Sequence, residues 1–228
     1  MTSKDNKTHV LGHRKRLKEK IAVSPKSLSD YELLEALLFY VFPRKDTKQP
    51  AKELMQNFRS LRNVIFSDAI EIQKIAGLGT SSALMFKLIR EVFSRILHNE
   101  IVNAPVISTS DHVHNYYKNV LGTLKKEQLR VIFLDAKNHL ILEKTLQEGT
   151  INQTAIYPRE IVQIALNCGA AAIILVHNHP SGDTTPSRQD ILITKRIRDV
   201  AEKLDIQLLD HLIIGHDRTV SLRELELI

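Results

Sequence analysis

The stretch Ala172-Ile173-Ile174-Leu175-Val176-His177-Asn178-His179-Pro180-Ser181-Gly182-Asp183-Thr184-Thr185-Pro186-Ser187-Arg188-Gln189-Asp190 decides how this chain is read. Its opening apolar run has the character of a strand buried on both faces. Side chains alternate across a strand, so His177 and His179 fall on the same face of its end. On a helix the same spacing would turn the two imidazoles roughly 200° apart. Pro180 and Gly182 stop the strand and turn the chain. Pro186 and Ser187 then start a helix that can carry Asp190 back toward the two histidines. Two His and one carboxylate suit one Zn²⁺ with an open fourth position, the vacancy that separates a catalytic site from a structural one. The competing reading is structural: a chance His-x-His pair, with Ser187-x-x-Asp190 serving only as a helix capping box.

Outward from this segment the chain alternates. Leu129–Asp135 and Leu140–Glu143 read as strands with turn residues Asp135 to Asn138 between them. A helix opens at Tyr157-Pro158-Arg159-Glu160 and runs to about Asn167. Pro186 to Leu204 is helical, and Gln207 to Ile214 is expected as the final strand. The first half has little β-branched alternation. Asp30 to Leu38 places its apolar residues on one helical face, with Ser29 or Asp30 as cap. Gln49 to Met55 opens a second helix with Pro50 in its first turn, and Asp68–Ala76 and Thr80–Leu97 follow. Asn99 to Ser110, with Pro105, breaks the pattern and marks the expected boundary. The expected class is α+β: an all-helical domain over 1–101, then a domain with one mixed sheet and packed helices over 102–226.

The net charge of +6 is uneven. Residues 1–100 carry 18 Lys and Arg against 11 Asp and Glu, whereas residues 101–228 carry 14 against 15. Such asymmetry suggests that one half meets a polyanion, or else it is a solvated basic face. Between two helical patterns, Ile75-Ala76-Gly77-Leu78-Gly79-Thr80 could present backbone N–H groups to a phosphate, with Lys74 and Lys87 near in sequence. The bland alternative is a turn joining two packed helices, with Ala83 permitting their approach. The pattern Ile75, Gly77, Leu78, Gly79, Ala83 resembles the hairpin of helix-hairpin-helix DNA-binding modules.

His-Asn-His-Pro-Ser-Gly followed by Pro-Ser-x-x-Asp resembles the signature of the RadC family, a bacterial branch of the JAB/MPN (JAMM) metalloprotease-like superfamily. Gly149-Thr150, Tyr157-Pro158-Arg159-Glu160 and Asp210-His211-Leu212-Ile213-Ile214-Gly215 agree with it, as does the helix-hairpin-helix region over residues 70–90. The resemblance implies a cytidine-deaminase-like JAB/MPN domain with zinc on His177, His179 and Asp190. It further implies water activated at the metal, a glutamate as general base, and a serine that stabilises the oxyanion, placed at Ser187. Family order favours Glu127 as the glutamate, with Glu148 and Glu160 as competitors. The structural alternatives are a first-turn acid for Glu160 and an exposed strand-end carboxylate for Glu148.

The implied activity is hydrolysis of peptide or isopeptide bonds, with an unidentified protein or peptide as substrate and DNA as a ligand of the helical half. The alternative is a DNA repair or recombination accessory protein without hydrolytic activity. A nuclease fits less well, because nucleases gather several carboxylates around Mg²⁺. Cys168 reads as a small core residue, and a single cysteine excludes a disulfide framework. Asp210 and His211 read as a hydrogen-bonded structural pair, while His139, His211 and His216 compete as partners of a ligand histidine. No apolar run can span a bilayer, and Met1 to Gly12 lacks a signal peptide's apolar centre. A cytoplasmic protein without membrane association is expected.

Overall fold

The computed structural model describes residues 3–102, 105–106, 110–149 and 156–228. Residues 103–104 and 107–109 of the expected boundary, and Thr150, lie outside the described residues. The chain divides into two units, Met1–Val92 and Phe93–Ile228.

The first unit is built from helices: α1 (Ser3–Val23), α2 (Asp30–Val41), α3 (Lys48–Phe58), the short α4 (Leu61–Ile65) and α5 (Ala69–Gln73), and the start of α6 (Thr80–Val102). Ser29 caps α2 in a capping box, its N–H donating to the Glu32 carboxylate at 2.8 Å. Leu34, Leu38, Leu54, Val64, Ile72 and Phe86 form the core of this unit, and Ala83 is buried among them.

The sequence predicts neither α1 nor α4: Leu17 is the one apolar residue of the basic run 13–20, and α4 is five residues long. α1 is held by an apolar cluster, in which Leu17 and Ile21 pack with Leu28, Leu33, Ala36 and Phe39, and by polar contacts. The Arg14 guanidinium donates to the carbonyls of Phe42 (2.6 Å), Pro43 (2.7 Å) and Lys45, just beyond the end of α2, and lies 4.5 Å over the Phe39 ring. His13 meets the buried Glu35 at 3.0 Å, and Lys20 meets Glu32 at 2.8 Å. Part of the basic excess is therefore used to dock α1 on α2.

The Lys20 ammonium, with the Ser29 N–H, holds the Glu32 carboxyl down at about 2. A depressed carboxylate contributes stability above its unfolded value of 4.5, and that contribution is lost as pH falls through about 2. Lys20→Met is expected to lower stability at neutral pH by about 0.5–1 kcal/mol, as expected for a partly exposed pair. Denaturant melts should show this deficit shrinking below pH 4.5. A deficit unchanged at pH 2 would assign it to packing instead.

The second unit contains α7 (Ser110–Leu121), β1 (Gln128–Leu134), β2 (Leu140–Glu148), α8 (Pro158–Cys168), β3 (Ala172–Asn178), α9 (Arg188–Ala201), β4 (Gln207–Ile214) and β5 (Thr219–Ser221). One five-stranded sheet has the order β2-β1-β3-β4-β5, and only the β3–β4 pairing is parallel. This is a mixed sheet in an α+β chain. A parallel neighbour needs a crossover, and α9 provides it.

β3 is buried along its whole length, which explains its unbroken apolar run. Ile174 and Val176 pack on the face that carries Tyr117 and Leu121 of α7. Ile173 and Leu175 pack on the opposite face, against Ile161 of α8 and Ile193 and Ile197 of α9. His177 continues the second series, so it emerges beside α9. β2 runs to Glu148, beyond the expected Glu143, and it forms one edge of the sheet, with Lys144 and Glu148 exposed. β5, also not anticipated, is three residues long and pairs with β4. Among the described residues no helix is long and apolar enough to cross a membrane.

Candidate metal centre

The end of β3 and the start of α9 meet as the spacing implied. The His179 N–H donates to the Ile214 carbonyl at 2.9 Å, which carries the β3–β4 alignment past the strand end. The chain then turns through Gly182 at φ +83°, where an added Cβ would lie 2.6 Å from Cδ2 of His216. Ser187 caps α9, its Oγ accepting from the Asp190 N–H at 3.1 Å while its own N–H donates to Asp190 Oδ2 at 2.7 Å. The structural reading of Ser187-x-x-Asp190 and the ligand reading thus coincide. The capping box aims the carboxylate at the histidines.

Asp190 Oδ1 lies 3.5 Å from His177 Nε2, and Asp190 Oδ2 lies 3.6 Å from His179 Nε2. The two Nε2 atoms face each other at 2.8 Å. A carbonyl can only accept, so His179 Nδ1–H donates to Asp183 O at 2.6 Å, and a neutral His179 carries a lone pair at Nε2. Glu127 places a carboxylate oxygen within 4.8 Å of both imidazoles. Two imidazole nitrogens facing each other, flanked by two carboxylates, form a donor set that fits a borderline divalent cation such as zinc.

Electrostatics support that fit. Burial pushes the His177 imidazole down to about 4 and that of His211 well below its ordinary value, so both are neutral near neutral pH. The hydrogen bond with Asp190 pushes His179 upward. Burial drives the Asp190 carboxyl up, but the hydrogen bond with His179, the charge that His177 gains at low pH and the Ser187 groups outweigh it and hold Asp190 below the usual carboxylate range.

The candidate glutamates lie in different places. Glu148 is exposed, with an oxygen 3.9 Å from Lys126 Nζ, and Glu160 is exposed in the first turn of α8. Glu127 is placed by Asn178, a residue the sequence reading passed over. The buried Asn178 amide accepts from the Gln128 N–H at 2.8 Å and donates to the Lys126 carbonyl at 3.1 Å, bracketing Glu127 from both sides. The Glu127 carbonyl accepts from the Gly149 N–H at 2.8 Å. The position of Asn178 between the two histidines is the only signal that could have found it.

His211 proves to be the histidine beside a candidate ligand, at 2.7 Å from His177 Nδ1. Asp210 accepts from Ser221 Oγ at 2.6 Å and is structural, while His216 Nδ1–H donates to the Gly122 carbonyl at 2.8 Å. His139 pairs with Asp135 at 3.5 Å.

In the first unit, the turn before α6 has Gly77 at φ +83°, a conformation that glycine adopts freely. Gly79 is not at positive φ, and its Cβ position meets nothing within 4 Å, so the backbone places no demand on it. Lys74 donates to both Glu71 oxygens at 2.9 and 3.0 Å, and Lys87 is exposed on α6.

A mixed sheet whose buried strand ends in two imidazoles, met by a helix-capping carboxylate, defines an α+β domain with a candidate His, His and carboxylate metal centre. Residues 107–227 match the family model of the RadC-like JAB domain. The chain belongs to that family.

Proposed function

We propose that the second unit is a zinc-dependent hydrolase of peptide or isopeptide bonds. The observation that carries this reading is the convergence of His177, His179 and Asp190 with Glu127 beside them, and membership of the JAB family is compatible with it. His177 Nε2, His179 Nε2 and the Asp190 carboxylate would hold the ion. Zinc bound there supplies Lewis acidity, which polarises a carbonyl and makes water more acidic.

Glu127, ionised, takes a proton from the attacking water as its oxygen bonds to the carbonyl carbon. It returns that proton to the amine nitrogen as the C–N bond breaks. Ser187 Oγ accepts the helix-capping N–H and still has its own proton to donate toward the developing oxyanion. Asn178 keeps Glu127 in place during both transfers.

The test combines metal analysis with a panel of peptide and isopeptide-linked substrates, before and after chelation. One zinc per chain and chelator-sensitive cleavage are expected. Stoichiometric zinc with no cleavage across a broad panel would overturn the hydrolase reading.

A second reading, DNA binding by the first unit, rests on the Gly77 turn at the entrance to α6. It predicts affinity for duplex DNA that falls steeply with salt and is weakened by Gly77→Val. The ion pairs of His13, Lys20 and Lys74 reduce the charge available for that role. Salt-insensitive or absent binding in a titration of the full chain would reject it.

A further inference from the structure

We propose that Thr194 and His211 are positioning residues that fix the tautomer of His177, so that its Nε2 lone pair faces the metal position. This rests on the metal reading above, and its test separates the two. The argument is one of proton counting along a buried chain of contacts.

Thr194 lies one helical turn after Asp190 on α9 and is buried. Its Oγ1 is 2.5 Å from the Asp190 carbonyl oxygen. Two oxygens at that separation need a proton between them, and a carbonyl has none, so the threonine donates. Its single proton is then committed, and Oγ1 offers only lone pairs to other neighbours.

His211 Nδ1 stands 2.6 Å from the same Oγ1 and must be the donor there. A neutral imidazole carries one N–H, which leaves His211 Nε2 bare. His177 Nδ1, at 2.7 Å from that atom, must in turn donate to it. The remaining nitrogen, His177 Nε2, is therefore the unprotonated one, and it faces His179 Nε2 at 2.8 Å and Asp190 Oδ1 at 3.5 Å.

His177, Thr194 and His211 are each at most 1% exposed, so water does not compete for the hydrogen bonds between them. The chain starts on the backbone of Asp190, whose side chain is the proposed third ligand. Helix α9 thus supplies one ligand directly and orients another through Thr194 and His211. The parallel pairing that sets Leu175 against His211 is what lets β4 contribute.

The experiment is ¹⁵N-histidine NMR of the metal-free full chain, with zinc titrations of wild type, Thr194→Val and Thr194→Ser. The expected wild-type result is the Nδ1–H tautomer at both His177 and His211. Thr194→Val should move His211 toward the Nε2–H tautomer and weaken zinc binding by about 10–100-fold, the usual cost of losing an outer hydrogen-bond partner. Thr194→Ser, which keeps the hydroxyl, should behave as wild type. An Nε2–H tautomer at His177 in the wild type would overturn the proposal without reference to any variant. So would a folded Thr194→Val protein with wild-type tautomers and wild-type affinity. Nδ1–H tautomers in a wild type that binds no zinc would support the proton order and overturn the metal reading instead.

Discussion

Asp190→Asn is expected to reduce bound zinc from one ion per chain to a trace, with affinity down by more than the ~10–100-fold that loss of an outer partner costs. The carboxylate lies within 3.6 Å of both imidazole Nε2 atoms and supplies the negative charge that its capping box directs at them. Asparagine keeps an oxygen for the Ser187 N–H, so the variant separates loss of a ligand from loss of a cap. Asp190→Ala removes both and should in addition lose about 1 kcal/mol of stability. Metal analysis of dialysed protein, beside a thermal melt, reads the two effects independently. Wild-type zinc content in Asp190→Asn would transfer the third ligand to Glu127, whose carboxylate is close enough to both histidines to take that place.

Glu127→Gln is expected to do the reverse: zinc stays and hydrolysis falls by about 10²–10⁴-fold, the usual contribution of a general base. Glutamine is near in size and leaves the backbone contacts of the Glu127 segment with Asn178 and Gly149 untouched. What it removes is the acceptor for the water proton. Paired measurement of metal content and cleavage rate decides the assignment. Loss of both would make Glu127 a ligand, and retention of both would return the general base to another group. Together the two variants divide the two carboxylates between holding the ion and moving the proton.

Much of the second unit was legible because its local signals agree with one another. The apolar run 172–176 has the character of a buried strand, and the strand period then put His177 and His179 on one face. Ser187-x-x-Asp190 announced a helix start, and the structure shows that the candidate ligand Asp190 is also the N3 partner of the cap Ser187. β5 escaped notice because three residues carry too little periodicity, and α7 because its start lies in a stretch read as a boundary. Helix α1 escaped for a different reason. Its apolar contact with α2 comes from Leu17 and Ile21, too few to mark a stripe, and the rest from Arg14, His13 and Lys20, whose contacts with distant residues leave no periodic trace.

The amino-acid order alone determined the α+β class and the strand and helix that flank the centre, and it singled out the two histidines and the aspartate as candidate ligands. Those features depend on side-chain alternation and helix capping, which operate over a few neighbouring residues. Only tertiary structure showed that Glu127, the glutamate favoured by family order, lies beside the two histidines, that Asn178 brackets its segment, and that His211 and Thr194 stand behind His177. These partners lie 17 to 50 residues apart in the chain and meet only when β1, β4 and α9 pack around β3. No local pattern encodes a hydrogen bond across that distance.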